Sequence, residues 1–209
     1  SYFLFRMPKE AMGFVLFPLG GYTKQEVRSL ARRNRLRVAD KPGSQDICFI
    51  PKREQKDFFA QRLGKNKLRP GLVKDSQGNI LGRHKGIVFY TIGQRQGLGI
   101  AYKYPLYVLK IDARSNTLVV GGKEEAYGSS LEAKDLYLLS GKFLSKRLEV
   151  KAKIRYNHPE VKALLRPLGR NRALVEFAIP QWAITPGQSV VFYQNNTVIG
   201  GATINRVIK

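Results

Sequence analysis

Along the second half of the chain, apolar and polar residues alternate in short runs, at about 104–111, 117–121, 132–139, 149–156, 161–166, 172–179, 188–194 and 197–207. A period of two is that of a strand with one face buried. Turn-forming residues separate the runs, among them Asp112 to Asn116 and the pair Asn195-Asn196, which suits a two-residue hairpin. No helical period interrupts them, so the pattern predicts a small antiparallel barrel or sandwich.

The first half reads differently. Thr23-Lys24-Gln25-Glu26 forms a capping box that opens a helix through about Arg37. Val27, Leu30 and Ala31 make its apolar stripe, and Arg28, Arg32, Arg33, Arg35 and Arg37 crowd the remaining surface. A loop at Asp40 to Gly43 leads to a short strand at Asp46 to Ile50. A second helix is expected over 51–64, with Pro51 near its start, Phe58, Phe59 and Leu63 inward, and Gly64 as its stop. From Pro70 to Ile100 the pattern is one of short strands and turns, with Lys74 to Asn79 as a hairpin loop. The Gly-rich, basic stretch Thr91 to Ile100 lacks the strand–helix frame of a dinucleotide fingerprint and reads as tight turns.

The fold class is therefore α+β: the end of an α/β domain over 1–50, a small central α+β domain over 51–103, and a C-terminal antiparallel domain over 104–209, for which a β-barrel and a sandwich both fit the pattern. One helix and one strand cannot close a core. Together with the absence of an initiator Met, this leads us to expect an upstream segment.

Charge adds a partner. The chain carries 37 Lys and Arg against 15 Asp and Glu, a net +22. Such an excess self-repels unless a polyanion offsets it, and nucleic acid ranks ahead of an anionic membrane. Residues 61–103 hold nine basic residues and one acid, Asp75, with Phe89, Tyr90, Tyr102 and Tyr104 interspersed as stacking candidates. There is no apolar run long enough to span a membrane, no signal peptide at Ser1 to Arg6 and no disulfide framework. A cytoplasmic location is expected.

Chemistry converges on a single residue. Metal binding is not expected, because one Cys and two His (His84, His158) show no ligand spacing. No nucleophile elbow and no phosphate loop of the GxxxxGKS/T type is present. Cys48 lies within Ser44-Gln45-Asp46-Ile47-Cys48-Phe49-Ile50. As the only cysteine, it is either a small buried hydrophobe or a thiol that reacts with something outside the chain. On a strand it shares a face with Asp46, which opposes thiolate formation, whereas the surrounding cations favour it. The residues alone leave both open.

The heptapeptide resembles the SQD-x-CFI signature of the bacterial tRNA-specific 2-thiouridylases. Ser1-Tyr2-Phe3-Leu4 is similar to the end of a catalytic-domain motif in that family. Tyr90 to Gly99 resembles its YTIGQRKGLG segment with Gln96 in place of Lys, Arg155-Tyr156 its Arg-Tyr pair, and Thr185 to Val191 its TPGQSVV strand. The resemblance is collinear over nearly all 209 residues. It implies thiolation of the wobble uridine of certain tRNAs. ATP, with Mg, adenylates the uridine O2 in an ATP-pyrophosphatase catalytic domain, of which 1–50 would be the C-terminal remnant. It implies Cys48 as persulfide carrier, loaded by an upstream sulfur carrier or cysteine desulfurase. The persulfide then attacks C2, or is released as sulfide by a second cysteine outside this chain. Contacts to tRNA would come from Arg155, Tyr156 and Gln188, with 51–103 as a tRNA-binding domain and 104–209 as a C-terminal antiparallel β-barrel; Arg95 and the helix arginines are weaker phosphate candidates. The chain alone would then be inactive. The competing expectation is a non-enzymatic RNA-binding barrel of the translation apparatus with Cys48 buried.

Overall fold

A computed structural model describes residues 2–41, 58, 61, 62 and 68–208. Cys48, the strand expected around it and nearly all of the helix expected over 51–64 lie outside the described residues. The chain divides into two compact units, one of residues 9–62 and one of residues 1–8 with 63–209.

In the smaller unit, α1 (Lys9–Met12) is a single turn and α2 (Lys24–Arg33) is the helix expected from the capping box. Both bonds of the box form: the Thr23 hydroxyl accepts from the Glu26 N–H, and the Glu26 carboxylate accepts from the Thr23 N–H. The helix stops at Arg33, short of Arg37. Asn34 caps it through its N–H and side-chain amide on the Leu30 carbonyl, and Arg35 turns left-handed at φ 51°. Val27, Leu30 and Ala31 are its half-buried face. Arg32 pairs with Asp40 at 2.8 Å.

The larger unit holds two sheets. In the first, β1 (Gly71–Lys74), β2 (Ile80–His84), β3 (Tyr107–Asp112) and β4 (Thr117–Gly121) assemble in the order β2-β1-β4-β3. The β1–β2 hairpin turns at Asp75, whose carboxylate accepts from the backbone of Gln77 and Asn79 and from the Asn79 side chain. The β1–β4 pair is parallel and the other two pairs antiparallel. Val73, Val108, Leu118 and Val120 form its core. His84 is buried and satisfied: Nε2 bonds the Asn116 carbonyl and Nδ1 accepts from the Gly86 N–H.

The second sheet is a closed antiparallel barrel. It is built of β5 (Tyr127–Leu138), β6 (Leu148–Lys153), β7 (Val161–Pro167), β8 (Arg172–Trp182), β9 (Ser189–Gln194) and β10 (Thr197–Ile208), in the order β10-β5-β8-β7-β6-β9. Every other residue points inward: Leu131 and Ala133, Val150 and Ala152, Ala163 and Leu165, Ala173, Val175 and Phe177, Val190 and Phe192, Ala202 and Ile204. The α+β class with a C-terminal antiparallel barrel is thus observed. The barrel starts at Tyr127, however, so its expected range of 104–209 needs correction. β3 and β4 join β1 and β2 instead, because alternation fixes which face a strand buries and not which strand it pairs with.

β9 is buried on both faces. Val190 and Phe192 fill the barrel, while Val191 and Tyr193 face outward and are covered by Tyr2 and Phe5. Gly201 on the neighbouring strand allows this approach, since a Cβ there would lie 2.5 Å from the Phe5 ring. The first residues therefore pack on the barrel, although the sequence grouped them with 9–50 in one domain.

Candidate functional site

The β8–β9 connection builds one wall of the site. Thr185-Pro186-Gly187-Gln188 is a type II turn: Pro186 presets the first central position, Gly187 takes φ 87° at the second, and the Gln188 N–H bonds the Thr185 carbonyl. Bonds from Gly187 N–H to the Ile204 carbonyl and from Ile204 N–H to the Gln188 carbonyl pin the turn to β10. The opposite wall is the turn Arg155-Tyr156-Asn157-His158, closed by the His158 N–H on the Arg155 carbonyl.

Arg155 ties the two walls together. Its Nε donates to Gln188 Oε1 at 3.1 Å, and one Nη donates to the Ala183 carbonyl at 2.6 Å and to Thr185 Oγ1 at 2.7 Å. Its second Nη makes no hydrogen bond among the described residues, nor does the Gln188 amide NH2. Partial burial lowers the Arg155 pKa, opposed by the Tyr2 phenol; a guanidinium stays charged regardless. Burial, and then the charges of Arg155 and Lys153, push the His158 pKa down, which favours neutral imidazole. Burial also raises the Tyr2 phenol, keeping it a donor to the Ser189 carbonyl at 2.7 Å.

The third wall is aromatic. Phe3 stacks on Tyr156 with ring centroids 5.1 Å apart and planes 27° apart, and Lys153 Nζ lies 5.8 Å from the Tyr156 centroid. Both rings remain open to solvent, Phe3 at 74% and Tyr156 at 56%. The three walls enclose a recess of about 650 Å³.

Arg155, Tyr156 and Gln188, picked out from the sequence, are thus brought together here. Tyr2, Phe3 and His158 also line the recess and were not picked out as contacts; no local pattern signals that residue 3 meets residue 156. Cys48 lies outside the described residues. Arg95 lines a separate recess of about 680 Å³ with Tyr102, Lys103 and Tyr104. Its Gly-rich loop forms the expected tight turns, with positive φ at Gly93, Gly97 and Gly99. Of the other stacking candidates, Tyr90 packs on the core of the first sheet. Another recess, of about 820 Å³ and lined by Val150, Ala163, Phe177 and Tyr193, gathers none of the predicted residues. Size alone does not select the site; the joining of cation, amide and open aromatics does. No cluster of metal-ligating side chains occurs among the described residues.

Comparison with known proteins gives collinear matches. Residues 1–52 match the tRNA methyl transferase HUP domain, residues 56–122 the tRNA methyl transferase PRC-barrel domain and residues 129–204 the aminomethyltransferase beta-barrel domain. The tRNA-specific 2-thiouridylase MnmA of Natranaerobius thermophilus is 48% identical over 98% of this chain and 55% of its own length. MnmA 1 of Caldanaerobacter subterraneus subsp. tengcongensis is 46% identical over 100% of this chain and 57% of its own. The Heliobacterium modesticaldum protein is 46% identical over 99% and 54%. The chain spans a little over half the length of these relatives. It belongs to the tRNA-specific 2-thiouridylase family.

Proposed function

We propose that this chain is the tRNA-holding, sulfur-delivering portion of an enzyme that thiolates C2 of the wobble uridine. The observation that carries the reading is the recess in which Arg155, Tyr156 and Gln188 meet. Phe3 and Tyr156 offer an open stacked surface for a base turned out of the anticodon stack. The free Nη of Arg155 and the free amide of Gln188 donate to phosphate or base oxygens.

Cys48 holds the sulfur as a persulfide, which is more acidic than its parent thiol and nucleophilic near neutral pH. Bound ATP, with Mg, supplies the adenylation that turns the uridine O2 into a leaving group. The chain spans 54–57% of the length of the relatives it matches; on this reading the nucleotide is held by the part of the catalytic domain that those relatives have outside the match, and this chain alone does not turn over. The sulfur comes from an upstream carrier or a cysteine desulfurase, in the cytoplasm.

Two assays test the reading. The chain should bind tRNA with an affinity that falls steeply with salt. The full-length protein with Cys48→Ser should bind tRNA as before and form no 2-thiouridine. Retained thiolation removes Cys48 from the mechanism.

A further inference from the structure

We propose that the opposite end of the barrel, formed by the β5–β6 loop (139–147) and the β7–β8 turn (168–171), is a second RNA-contacting surface. It grips phosphates far from the base being modified. The inference rests on the tRNA-holding role proposed above and adds a site to it.

The strand directions separate the two surfaces. β6 leaves the far loop at Leu148 and ends beside Arg155, while β8 leaves the far turn at Arg172 and ends at Trp182, next to Ala183. β8 has 11 residues; at about 3.3 Å per residue the two ends lie on the order of 30 Å apart. A single nucleotide cannot bridge that distance, whereas a folded RNA can.

The far loop is built to present what it carries. Its start is held by the Leu139 N–H on the Ile199 carbonyl and the Gly141 N–H on the Leu138 carbonyl, both at 2.9 Å. Leu144 is buried in the barrel core. Anchoring Leu144 leaves its neighbours outside, so Phe143 is 57% exposed and the Arg170 guanidinium from the facing turn lies 4.5 Å from its ring centroid. A guanidinium laid on a ring is pre-oriented and keeps its N–H edge for phosphate. The β6–β7 register, Leu148 opposite Leu165, brings Arg147 to the same end.

Lys142, Lys146, Arg147 and Arg170 are exposed, and none is ion-paired among the described residues. Neither segment contains an acid; Asp135 and Glu149 are the nearest in sequence. The neighbouring cations Arg166 and Arg172 are taken by Glu176 and Glu132. The free set therefore faces outward for a polyanion.

The test compares the wild-type chain with a Lys146→Gln/Arg147→Gln/Arg170→Gln variant and with Arg170→Gln alone. Thermal unfolding serves as the fold control for both. Binding is measured against full-length tRNA over a salt series and against a uridine oligonucleotide too short to span the barrel. The triple variant should bind tRNA about 10-fold or more weakly, with the log–log salt slope reduced by about 3, near one per lost phosphate contact. Arg170→Gln should show about a third of that loss of slope, and short-oligonucleotide binding should be unchanged. Unchanged tRNA affinity and slope would overturn the proposal and leave the surface to another partner, such as an acidic protein. Equal losses for tRNA and the short oligonucleotide would overturn it too, since they indicate general attraction. If the wild-type chain fails to bind tRNA at all, the proposed function itself falls and this surface with it.

Discussion

Arg155 is a clamp before it is a ligand. Three of its hydrogen bonds go to its own protein, and they require the planar fork that a lysine lacks. Arg155→Lys should therefore weaken tRNA binding nearly as much as Arg155→Ala, by about 10-fold or more, given roughly 1.5–3 kcal/mol for hydrogen bonds to a charged group. A filter-binding titration measures it, and a lysine variant with wild-type affinity would make Arg155 a simple phosphate contact. Tyr156→Phe should keep most of its affinity, because stacking on Phe3 needs the ring and not the hydroxyl, whereas Tyr156→Ala should lose about 1–3 kcal/mol. The pair Arg155-Tyr156 and Gln188 were legible in the sequence through their motifs. Phe3 was not: its place depends on Tyr2 and Phe5 finding the outward face of β9, a contact across nearly the whole chain.

At the level of elements, the strands were readable because each side of the barrel keeps strict alternation. Partners were not, which is how β3 and β4 were assigned to the wrong sheet. β9 also breaks the rule usefully: its four consecutive buried residues signal a second covering layer, here supplied by residues 2–5. Gly201→Ala would drive a Cβ toward the Phe5 ring and the Val190 carbonyl. It should cost about 1–3 kcal/mol, read as a lower midpoint in chemical denaturation, with looser tRNA binding because Tyr2 and Phe3 line the recess.

A second element-scale prediction concerns Glu132, on the outer face of β5 and buried beneath Arg172, Arg206 and Asn205. The Arg172 bond, then those of Arg206 and Asn205, hold its carboxyl below the usual glutamate range against the cost of burial. A depressed folded pKa stabilises the fold fully above the unfolded value, about 4.3, and that contribution is lost as pH falls through the folded pKa. Glu132→Gln should flatten this part of the acid limb and lower stability at neutral pH. An acid limb identical to wild type would mean that Glu132 carries no linkage.

On the scale of the whole molecule, the RNA contacts proposed at the two ends of the barrel would use part of the net charge of +22, and the Arg95 recess is a further basic surface. The density of charge was plain in the sequence; its division between opposite ends was not, since that follows from strand direction. Delivery of sulfur through Cys48 is the claim on which the functional account turns. The most direct measurement is mass spectrometry of the full-length protein after incubation with a sulfur donor and before addition of tRNA. The account predicts one additional sulfur atom on the peptide containing Cys48, lost when tRNA and ATP are supplied. A Cys48 peptide that stays unmodified while 2-thiouridine accumulates in the tRNA would contradict it.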